Sequence, residues 1–443
     1  MMVDKKCLTA LKRGVKSWNK WRTRNRYLQL DLRGINLSGE ILLGINLTGV
    51  NLAGATLIKC NFCGANFDGA DLTGANLSEA NLSGASLCGV NLTGAILIKA
   101  NYRGAESISS NLSLADLTGA DLRVVDFTGA ELSGANFHQA NLNGANFTGG
   151  NLTRANLQLA QLEGTNLNHA NLVQANFTSA NLTNACLEQA NLSEANLTKA
   201  KLFKTNLSLA DLTDANFSAT NLSLANLTGA NLTQANLVQA NLTSANLTDA
   251  NLTQADLTGA NLTDANLTQA DLTLTKAWTT NFNQSILTGA CFENLKINAQ
   301  TSFSKVVCQY LYLASAQQQR LPENHQDNLR SSEFETMLQN LMDSVEVTFN
   351  EDINWEIMLD AFKSLQQKFP AHKMQLKYVE AKSDYRFVVK MRVKPSTERV
   401  AITESFRHEY NLLARAKQNF ATPKNINIKQ KRRQELFSAY EQN

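Results

Sequence analysis

The chain has 443 residues, enough for two or more domains, and a formal net charge of +3 that dictates neither an acidic nor a basic partner. Aromatics are only 7% and prolines number 4, so the 43% of apolar residues, largely Ala and Leu, favour burial in small repeated steps over one large aromatic core. No run approaches 18 apolar residues, which excludes a transmembrane helix, and the opening "MMVDKKCLTALKRGVKSWNK" lacks the apolar core of a secretory signal. The 7 cysteines are odd in number and irregularly spaced, so a disulfide framework is not expected and a cytoplasmic protein with reduced thiols is.

Charge is placed unevenly. Residues 1–30 carry nine Lys/Arg against Asp4, residues 31–297 carry 11 basic and 20 acidic side chains, and the remainder is left with +4. The first of these segments reads as a basic helix over 8–26, with Leu8, Leu11, Val15, Trp18 and Arg22 at steps of three or four and Trp21 beside them. The expected role of residues 1–30 is to cap whatever follows. A patch for nucleic acid or acidic lipid is the alternative.

From residue 31 a five-residue period takes over. A central Leu returns at positions ending in 2 or 7, from Leu32 to Ile297, without an insertion: 54 units, of which 41 have Leu and most others Phe. Ala usually stands two residues before the centre, Asn or Asp just before it, and Thr, Ser, Gly, Gln or Asp after it. In an extended segment residues two apart share a face, so Ala and Leu point inward and Asn outward. The two polar residues that follow must turn the chain, so each unit is one short wall and one corner. Stacked coils of such walls bury Ala and Leu and bond their backbones to the coils on either side, which is the logic of a solenoid.

Units such as "ANLTD", "ANLTQ" and "ADLTG" resemble the pentapeptide repeat family, with its A-(D/N)-L-x-x motif, over residues 31–297. The resemblance implies a right-handed quadrilateral β-helix with four units per coil, about 13.5 coils, and a rod roughly 65 Å long at ~4.8 Å per coil. "WNKWR" is similar to the lead-in of cyanobacterial members. Irregularities are expected at the first coils, where Leu30, Ile35, Glu40, Ile45 and Val50 fill the inward small slot. A break is expected at Ser107, and looser packing around Ala277, Thr275, Thr280 and Ser285.

Residues 301–443 lose the period, and an α+β domain with a basic tail is expected there. It reads as a strand over 305–314, a polar loop, a helix over 332–349 opened by Ser332 and Glu335 at capping-box spacing, and a helix over 354–369. A hairpin through "KSD" and a helix over 396–420 follow. Its order, β-α-α-β-β-α, is similar to a domain that follows such arrays in cyanobacterial proteins.

No catalytic, cofactor-binding or metal-binding residue is expected. Cys60 and Cys63 form a CxxC, but the register turns Cys60 inward and Cys63 outward, so the thiols diverge. Cys88, Cys186 and Cys291 occupy outward slots, the five histidines are scattered, and no nucleophile motif or phosphate-cradling loop is present. The many N-L-T sequons follow automatically from the repeat, and Thr ladders on several walls do not single out one face for ice. The leading functional expectation is a non-enzymatic protein-interaction scaffold with an unidentified protein partner and no specific nucleic acid. The alternatives are a DNA mimic that regulates an enzyme such as gyrase, and ligand sensing or enzymatic activity in the C-terminal domain. The low net negative charge of 31–297 speaks against the mimic, since duplex DNA carries one charge per ~1.7 Å.

Overall fold

The computed structural model describes residues 5–342, 344–349, 354–370, 374–381, 387–393 and 399–418. It divides into two compact units, residues 1–341 and 342–443.

The first unit is built from the five-residue register. The residue before each centre forms a parallel bridge with the residue twenty positions on, from Asp31↔Asn51 through Lys276↔Lys296. Twenty residues therefore make one coil of four walls. Wall 1 runs through Asp31 and Asn51, wall 2 through Asn36 and Thr56, wall 3 through Ile41 and Asn61, and wall 4 through Asn46 and Asn66. Walls 4 and 1 are neighbours, as are 2 and 3. Between walls the chain turns tightly: Ala65 N–H donates to Phe62 O at 2.9 Å across Cys63 and Gly64. Gly64 has φ +64°, the left-handed value that the third residue of a type II turn requires. Many corners hold residues other than glycine in this region, Gln254 at φ 61° among them.

Ala and Leu do point inward. Leu252 and Ala255 are fully buried, and Asn251, on wall 1, is half-buried. The aromatic centres stack along the interior: Phe127 and Phe147, twenty residues apart, lie 5.2 Å apart, and Tyr102 packs on Phe127 at 6.0 Å. The expected break at Ser107 does not occur. Glu106↔Asp126 continues the ladder, and the Tyr102 hydroxyl reaches into the space a leucine would fill, 3.0 Å from Ser107 Oγ. Nor is the stretch around Ala277 loose at its threonines, although the buried Ser285 hydroxyl finds no hydrogen-bond partner among the described residues. Thr275 and Thr280 are buried, and their hydroxyls donate to Leu252 O and Leu257 O at 2.7 Å. Thr205 in the same slot bonds Leu182 O at 2.9 Å. A threonine there replaces the alanine methyl and adds a bond to the coil before. At the beginning, Leu30, Ile45 and Val50 are buried, Ile35 is half-buried and Glu40 is exposed.

Two helices precede the coils, α1 (Lys5–Lys12) and α2 (Val15–Arg24), where the sequence reads as one. Gly14, at φ 91°, separates them. α2 lies along the open edge of wall 4. Trp18 Nε1 donates to Asn46 O at 2.7 Å, Asn19 Oδ1 accepts from Asn46 N at 2.9 Å, and Arg22 donates to Thr48 O at 2.5 Å. These are the groups that every later coil satisfies with the coil before it.

The coils run past residue 300. One extra residue shifts the bridges to twenty-one, as in Asn281↔Ser302, Ile286↔Val307 and Cys291↔Tyr312, and Phe303 stacks on Phe282 at 4.9 Å. The expected strand over 305–314 is therefore the last partial coil, ending in β1 (Leu311–Ala314). β1 pairs antiparallel with β2 (Gln318–Leu321), which lies in the expected polar loop. α3 (Ser331–Met342) follows, and Phe334 packs edge-on against Phe303 at 5.9 Å. Its first turn is closed by Glu333, which accepts from Arg330 N at 2.9 Å, instead of by Ser332 with Glu335.

The second unit holds β3 (Ser344–Phe349), α4 (Trp355–Lys368), β4 (Gln375–Ala381), β5 (Phe387–Arg392) and α5 (Arg399–Gln418). Its sheet has the antiparallel order β3-β5-β4. The expected helix over 332–349 ends at Met342. "SVEVTF" is a strand because Val347 and Phe349 alternate inward onto a core with Val389, Met391, Phe362 and Phe406. Asn354 caps α4 by accepting from Glu356 N and Ile357 N at 3.1 and 3.2 Å. The "KSD" turn, Tyr385 and the basic tail with Lys429, Lys431, Arg432 and Arg433 lie outside the described residues.

Candidate interaction surface

Each wall presents two outward side chains per coil, one just before the centre and one just after it, with a third at the corner. The most frequent pair is Asn and Thr. The asparagine oxygen accepts from the backbone N–H two residues on, and the following hydroxyl donates to the same oxygen. At Asn226 these distances are 3.2 and 2.6 Å, from Thr228. The amide N–H₂ then reaches the coil before: Asn246 Nδ2 donates to Thr228 Oγ1 at 2.8 Å. Such walls are bonded within and between coils, so they are stiff, and much of their polar capacity is already used.

The twenty-residue coil sorts the charges. Walls 1 and 4, with their corners, hold 13 of the 20 acids of residues 31–297 and only Arg33 and Arg154 in return. Walls 2 and 3 hold nine of the 11 bases, against six acids. One side of the first unit is acidic and the opposite side mildly basic. Some bases are held in place: Arg123 Nη2 lies 2.6 Å from Asp121 Oδ2, and Lys276 Nζ lies 2.8 Å from Asp256 Oδ2. The Arg123 hydrogen bonds hold the Asp121 carboxyl below the usual carboxylate range. This sidedness escapes a linear reading. Sorting the charges by position modulo twenty reveals it, once twenty is known to be the coil.

The cysteines and histidines do not assemble. Cys60 is buried and its Sγ lies 2.8 Å from Leu37 O, whereas Cys63 is exposed. Cys186 is exposed, Cys88 half-buried, and Cys291, though in an outward slot, is covered. Burial pushes the Cys308 thiol up to about 12. His169, His325 and His408 are exposed and His138 is half-buried. Among the described residues no three His, Cys, Asp or Glu side chains gather to hold a metal ion. No helix of the described residues is long and apolar enough to cross a membrane. Of the basic N-terminal side chains, Arg22 is buried and spends its guanidinium on the carbonyls of Thr48, Leu28 and Asn25.

Among solved structures, HetL, a pentapeptide repeat protein involved in heterocyst differentiation regulation in the cyanobacterium Nostoc sp. strain PCC 7120, is 33% identical. The match covers 58% of this chain and 96% of HetL, with a TM-score of 0.22. The pentapeptide repeat protein Rfr23 of the cyanobacterium Cyanothece 51142 is 30% identical over 34% of this chain and 88% of its own, at a TM-score of 0.14. QnrB1, a plasmid-mediated fluoroquinolone resistance protein, is 20% identical over 50% of this chain and 91% of its own, at a TM-score of 0.26. No curated protein gives a significant match. Pentapeptide repeats are matched in eight copies, over residues 31–69, 45–84, 70–106, 110–149, 155–193, 190–229, 225–264 and 265–298. The chain belongs to the pentapeptide repeat family.

Proposed function

We propose that the protein is a non-catalytic interaction scaffold, in which a right-handed quadrilateral β-helix holds four flat walls in fixed relation to one another. The supporting observation is the unbroken series of bridges from Asp31 to Lys296, each coil bonded to the next through backbone and side-chain amides. A solenoid of this kind offers an extended binding surface without ordering loops on contact, so little conformational entropy opposes association. In this reading α2 and α3 act as the end caps of the rod, and the second unit is a separate α+β domain. Cross-linking of the full-length protein in its native cell, followed by mass spectrometry of the linked peptides, tests it. Partner links concentrated on outward wall residues support the scaffold. An absence of heterologous links, with turnover of a small molecule by the purified chain, would replace it with an enzyme.

A second reading, mimicry of duplex DNA toward a DNA-binding enzyme, gains from the sorting of charge. Walls 1 and 4 carry a net charge of −11. Over a rod of roughly 65 Å that is about one negative charge per 6 Å, several-fold sparser than the one per ~1.7 Å of a duplex. A gyrase supercoiling assay with the purified protein decides this reading.

A further inference from the structure

Within the repeat, every wall serves as a control for its neighbours, and residues 199–204 depart from that control. On wall 3, Asn181 with Thr183 and Asn221 with Ser223 form the usual bonded pair: Thr183 Oγ1 and Ser223 Oγ each donate to their asparagine at 2.7 Å. Between them the same two places hold Lys201 and Phe203. The backbone ladder is intact there, with Lys201 N–H to Ala180 O at 2.9 Å and Asn184 N–H to Phe203 O at 3.0 Å. The side-chain ladder is given up. Lys199 and Lys204 stand at the two corners of the same wall, and all three lysines are exposed. Lys204 Nζ sits 5.3 Å from the centre of the half-buried Phe203 ring. Among the described residues the ion pairs are Arg33–Asp31, Lys59–Glu79, Arg123–Asp121 and Lys276–Asp256, and none involves these lysines. The nearest acid on wall 3 is Glu163, two coils away, roughly 10 Å at the usual spacing.

We propose that Lys199, Lys201, Phe203 and Lys204 form a docking site for a short acidic segment of a protein partner, its carboxylates on the three ammonium groups and an apolar side chain on the Phe203 ring. This deepens the scaffold reading and rests on it. Charge selects the occupant. A polyanion wrapped around the rod would meet walls 1 and 4, which carry −11, and one laid along wall 3 would leave the lysines for Glu163 on one side and Asp264 on the other, whereas a short segment meets only the local lysines. Three exposed ammonium groups give attraction that weakens with salt, and the ring supplies an apolar contact that salt leaves in place.

The test uses the full-length protein and a variant that returns the unit to the repeat pattern: Lys199→Gly, Lys201→Asn, Phe203→Thr and Lys204→Gly. Each new residue is one that other coils already carry at that place, Gly119 and Gly259, Asn181 and Asn221, Thr183, and Gly164 respectively, so the variant is expected to melt at or above the wild-type temperature. The probe is a fluorescein-labelled synthetic ten-residue peptide of alternating Glu and Leu, followed by anisotropy at ~0.15 M salt, near the ionic strength at which charges screen over ~8 Å. The expected result is saturable binding that the variant weakens at least tenfold, while Arg103→Ser on the same wall leaves it unchanged. Binding to the variant as tight as to wild type, or no saturable binding at all, overturns the proposal. Tighter binding of a labelled twelve-nucleotide single strand at the same residues would also overturn it, in favour of nucleic acid. If a cross-linked cellular partner holds equally well to the variant, the scaffold reading survives and this site falls.

Discussion

Inward and outward places in the repeat tolerate very different chemistry. Leu252 is fully enclosed by the coils on either side, so Leu252→Asp buries a carboxylate without a partner and costs several kcal/mol, enough to unravel neighbouring coils. Asn251→Asp changes an outward residue to one that the repeat already uses at Asp256 and Asp271 and costs less than about 1 kcal/mol. Thermal melts of the two variants check this, and equal losses would contradict the assignment of faces. The Tyr102–Ser107 pair makes a sharper case, because two departures from the pattern compensate each other. Ser107→Leu alone forces a leucine onto the tyrosine hydroxyl and is expected to cost about 1–3 kcal/mol. Tyr102→Leu alone leaves a void and the serine without its partner, at about 2–4 kcal/mol. The double variant returns both units to the common form and recovers most of the loss, as a denaturation double-mutant cycle will show. The cysteines differ in the same way. The Cys308 thiol, raised by burial to about 12, stays protonated through pH 8, whereas Cys63 and Cys186 are exposed. Site-resolved iodoacetamide labelling at pH 8 should modify Cys63 and Cys186 at least tenfold faster than Cys308. Comparable rates would mean that the last coil opens.

At the scale of elements, the ends of the first unit need separate attention, because a coil with no predecessor leaves N–H and C=O groups unpaired. α2 meets this on wall 4 with one indole, one amide and one guanidinium, aimed at Asn46 and Thr48. Trp18→Ala removes a fully buried indole and its bond and is expected to cost about 3–5 kcal/mol locally. Native-state hydrogen exchange should show Asn46 and Leu47 amides exchanging faster while amides near Leu252 stay protected. Uniform acceleration along the coils would instead mean that the rod unfolds as one body. The basic helix was legible because Trp18 and Arg22 share a helical face. Its interruption at Gly14 was not, since an isolated glycine is tolerated in many helices. β3 is hidden for a related reason: Met342 and Val345 extend the apolar spacing of α3, so the pattern of a helix reads through a strand. The competing signal, Val345, Val347 and Phe349 at period two, was present and short. The last coil is hidden because a single inserted residue ends the five-residue register without ending the ladder, as Cys291↔Tyr312 shows.

At the scale of the whole molecule, the two compact units meet the chain at 341/342, some forty residues beyond the place where the repeat pattern stops. A cut after residue 300 would strip Phe303 from Phe282 and remove α3, exposing the end of the solenoid. Fragment 1–342 is therefore expected to melt cooperatively and stay monodisperse, and fragment 1–300 to aggregate. Light scattering of the two fragments checks this, and equal solubility would deny α3 a covering role. Period five, the inward Ala and Leu, the turning corners and membership of a repeat family were all determined by the sequence alone. They are local: each unit states its own wall and corner, and 54 copies repeat the statement. What lies beside what was decided only by the tertiary structure. Closing four walls into a coil places residue i on i+20, and that contact gathers 13 acids onto two walls, isolates Lys199, Lys201 and Lys204 from counter-charges, and lets Tyr102 fill the gap at Ser107. Five-residue periodicity sets which way a side chain points. The number of walls per turn, fixed by how the corners close and the interior fills, sets which side chains become neighbours.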